Sequence, residues 1–320
     1  PPRGYIVSAN HRITAPEYPH FISAEWYLPY RARRIEQLLQ AESKHSIATF
    51  RRMQGDIVSL AALDFIAALH NTSPSTPAGR LALDRLLAWN GAMRVDAPEP
   101  LIFHAWLRKL RSRIFDDDLG EFAADMVASD ELALATLKVL RGESRARDWC
   151  DDINTPARRE TCVELAAETL DQTAAELARE TGRDVAGLRW GDARRAVFEH
   201  RPFSNVSVLR DWFELRTSFP GDSYTINVGR LSLRAAAPFN TRHAASMRAI
   251  HDLASPRAGV WMLATGQSGH PLSDQYSNFV DDWRRVSYAP IPWDLPNIKG
   301  PSARTLVLRP STPPATAPTR

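Results

Sequence analysis

The chain has 320 residues, of which 44% are hydrophobic and 24% charged, with a net charge of +3. That supplies a sizeable core, and no run of about 18 apolar residues is present to cross a membrane. All 40 basic residues but Lys44, Lys109, Lys138 and Lys299 are arginines, scattered among 37 acids; a nucleic-acid surface needs a basic stripe, so partners of that class are excluded.

Residues 4–9 alternate weakly and predict a strand ending at Ala9–Asn10. A loop rich in Pro and aromatic residues covers 11–30. A helix is expected over Arg31–Ala41, with Ile35, Leu38 and Leu39 on one face. Ser46 then caps a long helix to about His70, striped by Ile47, Phe50, Val58, Ala61, Phe65 and Leu69. Ser73–Pro77 breaks the chain. Helices follow over 79–89, 99–114, 117–128, 130–141 and 157–180.

Beyond Gly187 the pattern shortens. Tyr224–Val228 predicts a strand, 243–254 a helix and Val260–Thr265 a buried strand. The last runs into the turn Gly266–Gln267–Ser268–Gly269, and 275–285 forms a final short helix. The Pro- and Thr-rich stretch 301–320 is expected to be disordered. No internal repeat is visible. The chain opens on Pro1 almost directly in a strand, as the interior of a longer precursor would.

Cys150 and Cys162 enclose a polar loop with a turn at Asn154–Thr155–Pro156. A zinc site lacks further nearby ligands. A disulfide here stabilises by roughly 3 kcal/mol through loop closure and implies an oxidising compartment. The alternative is a pair of reduced thiols in a cytosolic protein.

Three polar residues sit oddly. Arg31 points within about 40° of Ile35 and Leu38 on a helical wheel and stands at a helix start, where the macrodipole disfavours a cation. It is either a packed stem with its head in water, a structural ion pair or a site residue. Gln54 lies within the stripe of the long helix, so its amide needs hydrogen-bond partners. Asn10 ends the first strand, either as an ordinary turn residue or as a rigid amide donor facing a cleft, suited to an oxyanion. The nine histidines form no HExxH pair, and no GxSxG elbow or P-loop occurs. Ser268 reads as a turn residue. Asp116–Asp118 and Asp281–Asp282 read as helix-end charges.

The segment GYIVSANHRITAPEYPHFISAEWYLPYRARRIEQLL resembles the penicillin acylase family, which includes cephalosporin and acyl-homoserine-lactone acylases. The likeness continues through MQGDIVS, LLAWNGAM, PLIFHAW, LRWGDAR, GDSYTINV, ASMRAIHDL and GQSGHPLSDQY. These pieces follow in order from about 4 to 290; no single piece is decisive, but the ordered set is specific.

The resemblance implies an α+β N-terminal-nucleophile (Ntn) hydrolase, an αββα sandwich. Residues 1–300 would be the C-terminal portion of its large (β) subunit: some strands and a helical excursion over about 31–200. It implies an autoprocessed, periplasmic or secreted amidase of antibiotic metabolism that attacks a linear amide of an N-acyl compound with an N-terminal serine. The serine's α-amine is the base. By the match, Asn10 is the oxyanion-hole residue, Arg31 the active-site arginine, and Gln54 a structural residue near the site. No serine nucleophile is present in this chain, so it must come from the partner parts of the precursor, the small subunit and the N-terminal part of the large one. Asn90 and Gln275 depart from the family's usual Asp and His. Some members bind calcium through an acid in the YP loop. Here the loop offers Glu17 and, further on, His20, so no metal and no cofactor is assigned. Two alternatives stay open: an acyl-homoserine-lactone acylase, or an inert truncated homologue acting as a scaffold or binding module.

Overall fold

Capping side chains set where most of the helices begin. In the computed structural model, which describes residues 1–123, 130–143, 148–231, 236–293 and 306–309, seven longer helices come first. They are α1 (Tyr30–Gln40), α2 (Ile47–Gln54), α3 (Leu60–Ala67), α4 (Pro77–Ala88), α5 (Glu99–Leu119), α6 (Asp130–Leu140) and α7 (Cys162–Thr181). Ser46 and Thr49 form a capping box on α2, as Thr161 and Glu164 do on α7. Thr76 caps α4, with Pro77 in the first turn, where its missing N–H costs nothing.

These helices bury their apolar stripes against one another. α4 and α5 both pack on α7, enclosing Leu86, Phe103, Trp106, Leu110, Leu165 and Leu170. Burying each such side chain contributes roughly 1.5–3 kcal/mol. Trp106 is fully buried, and its indole N–H donates to the Ala166 carbonyl at 3.3 Å, so no polar atom of the side chain is left unpaired.

After the short helix α8 (Trp190–Ala193) the chain turns to strands. β1 (Arg195–Phe198) pairs antiparallel with β2 (Leu215–Ser218), Arg195 opposite Ser218, with helix α9 (Ser207–Phe213) between them. β3 (Met247–Ile250), β4 (Val260–Leu263) and β5 (Ala289–Pro290) form an antiparallel sheet in that order, with helix α10 (Val280–Arg284) between β4 and β5. A second, smaller core joins the two sheets around Ala196, Phe219, Met262, Ala264 and Trp283. The Trp283 and Phe219 rings stack there at 4.7 Å.

Several expectations are corrected. Residues 4–9 pair with no strand among the described residues, because sheet hydrogen bonds need a neighbour and none lies alongside. The helix expected from Ser46 to His70 is two helices. Gly55 ends α2, the Asp56 carboxylate accepts the Val58 N–H at 3.2 Å, and Ser59 caps α3. Residues 99–119 are one helix, not two, followed by a 3-10 turn at Gly120–Phe122. The rest of the expected 117–128 helix, 124–128, lies outside the described residues. Helix α7 starts at Cys162, not at 157.

Tyr224–Val228 is not a strand but a buried turn. Gly221 adopts a φ of 77°, and a Cβ there would meet the Asn227 carbonyl at 2.4 Å. Residues 247–250 are β3 rather than part of a helix, because pairing with β4 overrides the helical leaning of an Ala-rich segment. The last helix is only Val280–Arg284. Of the tail, 306–309 is exposed and irregular, and the remainder lies outside the described residues.

Cys150 and Cys162 are joined by a disulfide, with Cα atoms 5.1 Å apart. The loop it closes is organised by Glu160, which accepts from Thr155 Oγ1 at 2.9 Å and from the Asp152 N–H at 3.2 Å. A Cys150→Ser/Cys162→Ser variant is expected to lose roughly 3 kcal/mol of stability. Urea unfolding measures it; an unchanged midpoint would mean the cross-link is energetically idle.

Candidate active site

Asn10 adopts a φ of 63°, in the left-handed region that Asn tolerates better than most residues. The chain reverses there, and the Asn10 carbonyl accepts the Tyr27 N–H at 2.9 Å, which closes the loop between them. Four residues on, Arg31 lies in the first turn of α1, a helix with no side-chain cap and no acid in that turn. Its cation, unfavourable at a helix start, is turned back to the loop: Arg31 Nη2 donates to Asn10 Oδ1 at 2.8 Å. A guanidinium only donates, so the amide oxygen must face it. The Asn10 NH₂ group therefore faces away from Arg31, and it has no partner among the described residues.

Tyr27 is the third member. The Arg31 guanidinium carbon lies 5.9 Å from its ring centroid and that of Arg230 5.8 Å. Arg230 Nη1 also donates to Tyr27 Oη at 3.4 Å. Helix α1 is fixed beneath them by Arg34, whose Nε and Nη2 donate to the two oxygens of Asp56 at 3.0 and 2.7 Å. Tyr30 is buried in the same helix; burial first, then the Asp64 carboxylate, pushes its phenol up to about 12.

Gln54 ends α2. Its Nε2 donates to the Ala249 carbonyl at 3.1 Å, and its Oε1 accepts from Tyr288. The amide thus bolts α2 to β3 and satisfies its own burial.

A buried charge network centres on Asp222. Asp222 is fully buried and accepts from Ser59 Oγ at 2.8 Å and from the Tyr224 N–H at 2.7 Å. His104, on α5, stacks on Trp190 at 5.1 Å and brings Nε2 to 3.4 Å from Asp222 Oδ2, an ion-dipole contact rather than a well-formed hydrogen bond. Burial holds the His104 imidazole below its ordinary value, and this outweighs the attraction of Asp222. Burial pushes the Asp222 carboxyl up, but its donors outweigh that and hold it ionised. Arg194 is buried too; desolvation lowers it to about 10, against the supporting field of Asp222. Its Nη2 and Nη1 donate to the carbonyls of Gly229 and Phe239 at 2.6 and 2.7 Å.

The sequence-predicted pair Asn10 and Arg31 is thus in contact, and Gln54 sits apart from them in a structural bond. Tyr27, Arg230 and the Asp222 network were not singled out. Asp222 lies in the GDSYTINV stretch, and burial of its carboxylate depends on the fold around it. Glu17 and His20 are exposed on the loop. Among the described residues, no group of three or more His, Cys, Asp or Glu is placed to hold a metal ion. No helix among them is long and apolar enough to cross a membrane.

Residues 1–300 match the penicillin amidase family, and the chain belongs to it. It is 25% identical to an acyl-homoserine lactone acylase, QuiP, of Pseudomonas aeruginosa over 93% of this chain and 38% of that one. It is 26% identical to penicillin acylase 2 proenzyme of Pseudomonas sp. over 92% of this chain and 37% of that one. The fold is shared with the thermostable penicillin G acylase of Alcaligenes faecalis, with a TM-score of 0.62 and 16% identity, over 98% of this chain and 58% of that one. The chain therefore spans well under half the length of the curated relatives it matches.

Proposed function

We propose that this chain supplies the oxyanion side of the active site of an N-terminal-nucleophile amidase that cleaves linear amides of N-acyl compounds. The observation that carries this reading is the 2.8 Å bond from Arg31 to Asn10 Oδ1, which leaves the Asn10 NH₂ aimed away as a fixed donor. The nucleophile is a serine at the N-terminus of the large subunit, in a part of the polypeptide outside this chain. Its hydroxyl attacks the amide carbon while its α-amine takes the proton; that amine, with an ordinary pKa of about 7.7–8.0, is a competent base near neutrality. Asn10 Nδ2 donates to the oxyanion, and Arg31 holds the amide in register. The C–N bond breaks, the amine leaves with the proton, and water releases the acyl group as a carboxylic acid.

The name of one set of relatives points to acyl-homoserine lactones and that of another to penicillins. The disulfide fits maturation in the periplasm or outside the cell. The test is expression of the full-length polypeptide that contains this chain. A new N-terminal serine, found by N-terminal sequencing, and amine release from a panel of N-acyl amides are expected. Arg31→Ala should lower turnover or processing at least tenfold. No self-cleavage and no amine release would defeat the reading, as would wild-type rates in Arg31→Ala.

A further inference from the structure

Helix α9 leaves apolar side chains in water: Trp212 is 68% exposed, and Leu272, on the turn after Gly269, is 77% exposed. Between that helix and that turn lies a cavity of about 500 Å³, walled by His200, Phe203, Trp212, Phe213, His270 and Leu272. Small-molecule sites have this size and this mostly apolar wall. The wall is built into the fold. The rings of His200, Phe203 and Phe213 pack on one another with centroids 4.6 to 5.2 Å apart. His200 is fixed by its own N–H, which donates to Ser204 Oγ at 2.8 Å, and by its carbonyl, which accepts the Ser204 N–H at 2.7 Å. Tyr276 Oη donates to the Phe213 carbonyl and so ties the chain beyond the turn to the end of α9.

The only ionisable side chains on this wall are the two imidazoles, and no acid lines it. His270 Nδ1 accepts the Leu272 N–H at 3.2 Å, so the neutral ring carries its proton on Nε2. His200 Nδ1 is buried with no partner among the described residues. Orphaned buried N–H groups are rarer than orphaned acceptors, which assigns the His200 proton to Nε2 as well. Neither Nε2 is bonded or sealed from solvent among the described residues. The wall therefore offers N–H donors, which become cationic if a ring is protonated, and it offers no negative charge.

We propose that this cavity is a binding site for a medium-chain alkanoate, with the hydrocarbon tail on the aromatic wall and the carboxylate on the imidazole N–H groups. A carboxylate is an acceptor only and meets donors here without facing a like charge. Seating the tail takes Trp212 and Leu272 surface out of water, which is the driving force. His270 is exposed, so the headgroup stays close to water and costs little to desolvate. A cationic ligand would find no partner on this wall, and a neutral alcohol would gain the burial without the charge-assisted bond. The cavity shares no residue with the Asn10–Arg31 pair or the Asp222 network, and the assignment stands without the amidase reading.

The probes are octanoate and its neutral match octan-1-ol, on the full-length polypeptide that contains this chain. A diazirine-bearing octanoate, photolysed and located by peptide mass spectrometry, should label residues 200–213 or 266–276. Calorimetric titration should show octanoate bound more tightly than octan-1-ol. His270→Asp keeps an acceptor for the Leu272 N–H, as Asp does in turns, and exchanges the donor for an anion. It should weaken octanoate roughly tenfold or more, the scale of one hydrogen bond to a charged group, and leave octan-1-ol unchanged. The same variant should lose the label at 200–213 and 266–276 while any label elsewhere persists. Trp212→Ala, a change at an exposed side chain, should weaken both probes alike. Labelling confined to other parts of the polypeptide would overturn the proposal, and this includes the case of another segment filling the cavity. An undiminished octanoate affinity in His270→Asp, or an equal loss for both probes, would overturn it as well.

Discussion

Asp222→Asn is expected to lower the unfolding free energy by roughly 1–3 kcal/mol, the usual cost of disturbing a buried, hydrogen-bonded carboxylate. Asn is isosteric and keeps the bond from the Tyr224 N–H on Oδ1, but its NH₂ replaces the oxygen that accepts from Ser59 Oγ, so the effect combines the lost charge with that lost bond. What is lost is the anion whose field supports buried Arg194. Urea unfolding of the two proteins at pH 7 measures it, and a difference below about 1 kcal/mol would show that backbone carbonyls alone sustain Arg194.

The same network fixes the pH response. The folded state holds Asp222 below its ordinary range, so its contribution is complete above the unfolded carboxylate's pKa and is lost as pH falls through the folded one. His104 is also depressed when folded. The unfolded chain therefore takes up a proton below about 6.5 that the folded chain refuses, which removes further stability on acidification. Wild-type stability should fall as pH is lowered from 7 to 5, and Asp222→Asn, lacking the carboxylate's part, should fall from a lower starting point.

Asn10→Ala is expected to lower kcat of the full-length enzyme by roughly 10²-fold or more, the effect of removing one oxyanion donor. The KM should change much less, since the donor serves a charge that develops only in the transition state. Circular dichroism should be unaltered, because Asn10 is exposed and outside any helix or strand. The exception to watch is its left-handed backbone, which Ala tolerates less well. Asn10→Gly retains that conformation without the amide and should be as slow as Asn10→Ala. Near-wild-type turnover in Asn10→Gly would remove Asn10 from the mechanism.

The helical half of the fold was legible because its signals are local. Ser46 announces a helix start through its own hydroxyl, whereas Thr76 and Thr161 cap helices whose starts were expected at 79 and 157. The break at Gly55–Ser59 was missed, because the apolar stripe continues across the Gly and the second capping Ser that mark it. The strand half was not legible. Met247–Ile250 becomes a strand only because Val260–Leu263 lies beside it, and no property of ASMRAIHDL contains that neighbour. Arg31 stood out as a cation on an apolar stripe, and its answer lay in Asn10. Arg230 looked like any exposed arginine. Only the fold brings it to a ring some two hundred residues earlier.

Asp56 gives the fold a temporal order. Its carboxylate takes the Arg34 fork that fixes α1, and its carbonyl accepts the Asn227 N–H at 2.9 Å. The shelf carrying Arg31 is thus fastened on one side by a near neighbour and on the other by a residue far down the chain. Closing so long a loop is slow, because its entropy must be met before the contact rewards it. During synthesis, the Arg34 side of the shelf is expected to fasten early and the Asn227 side late. The late side waits on a segment that leaves the ribosome well after the shelf does.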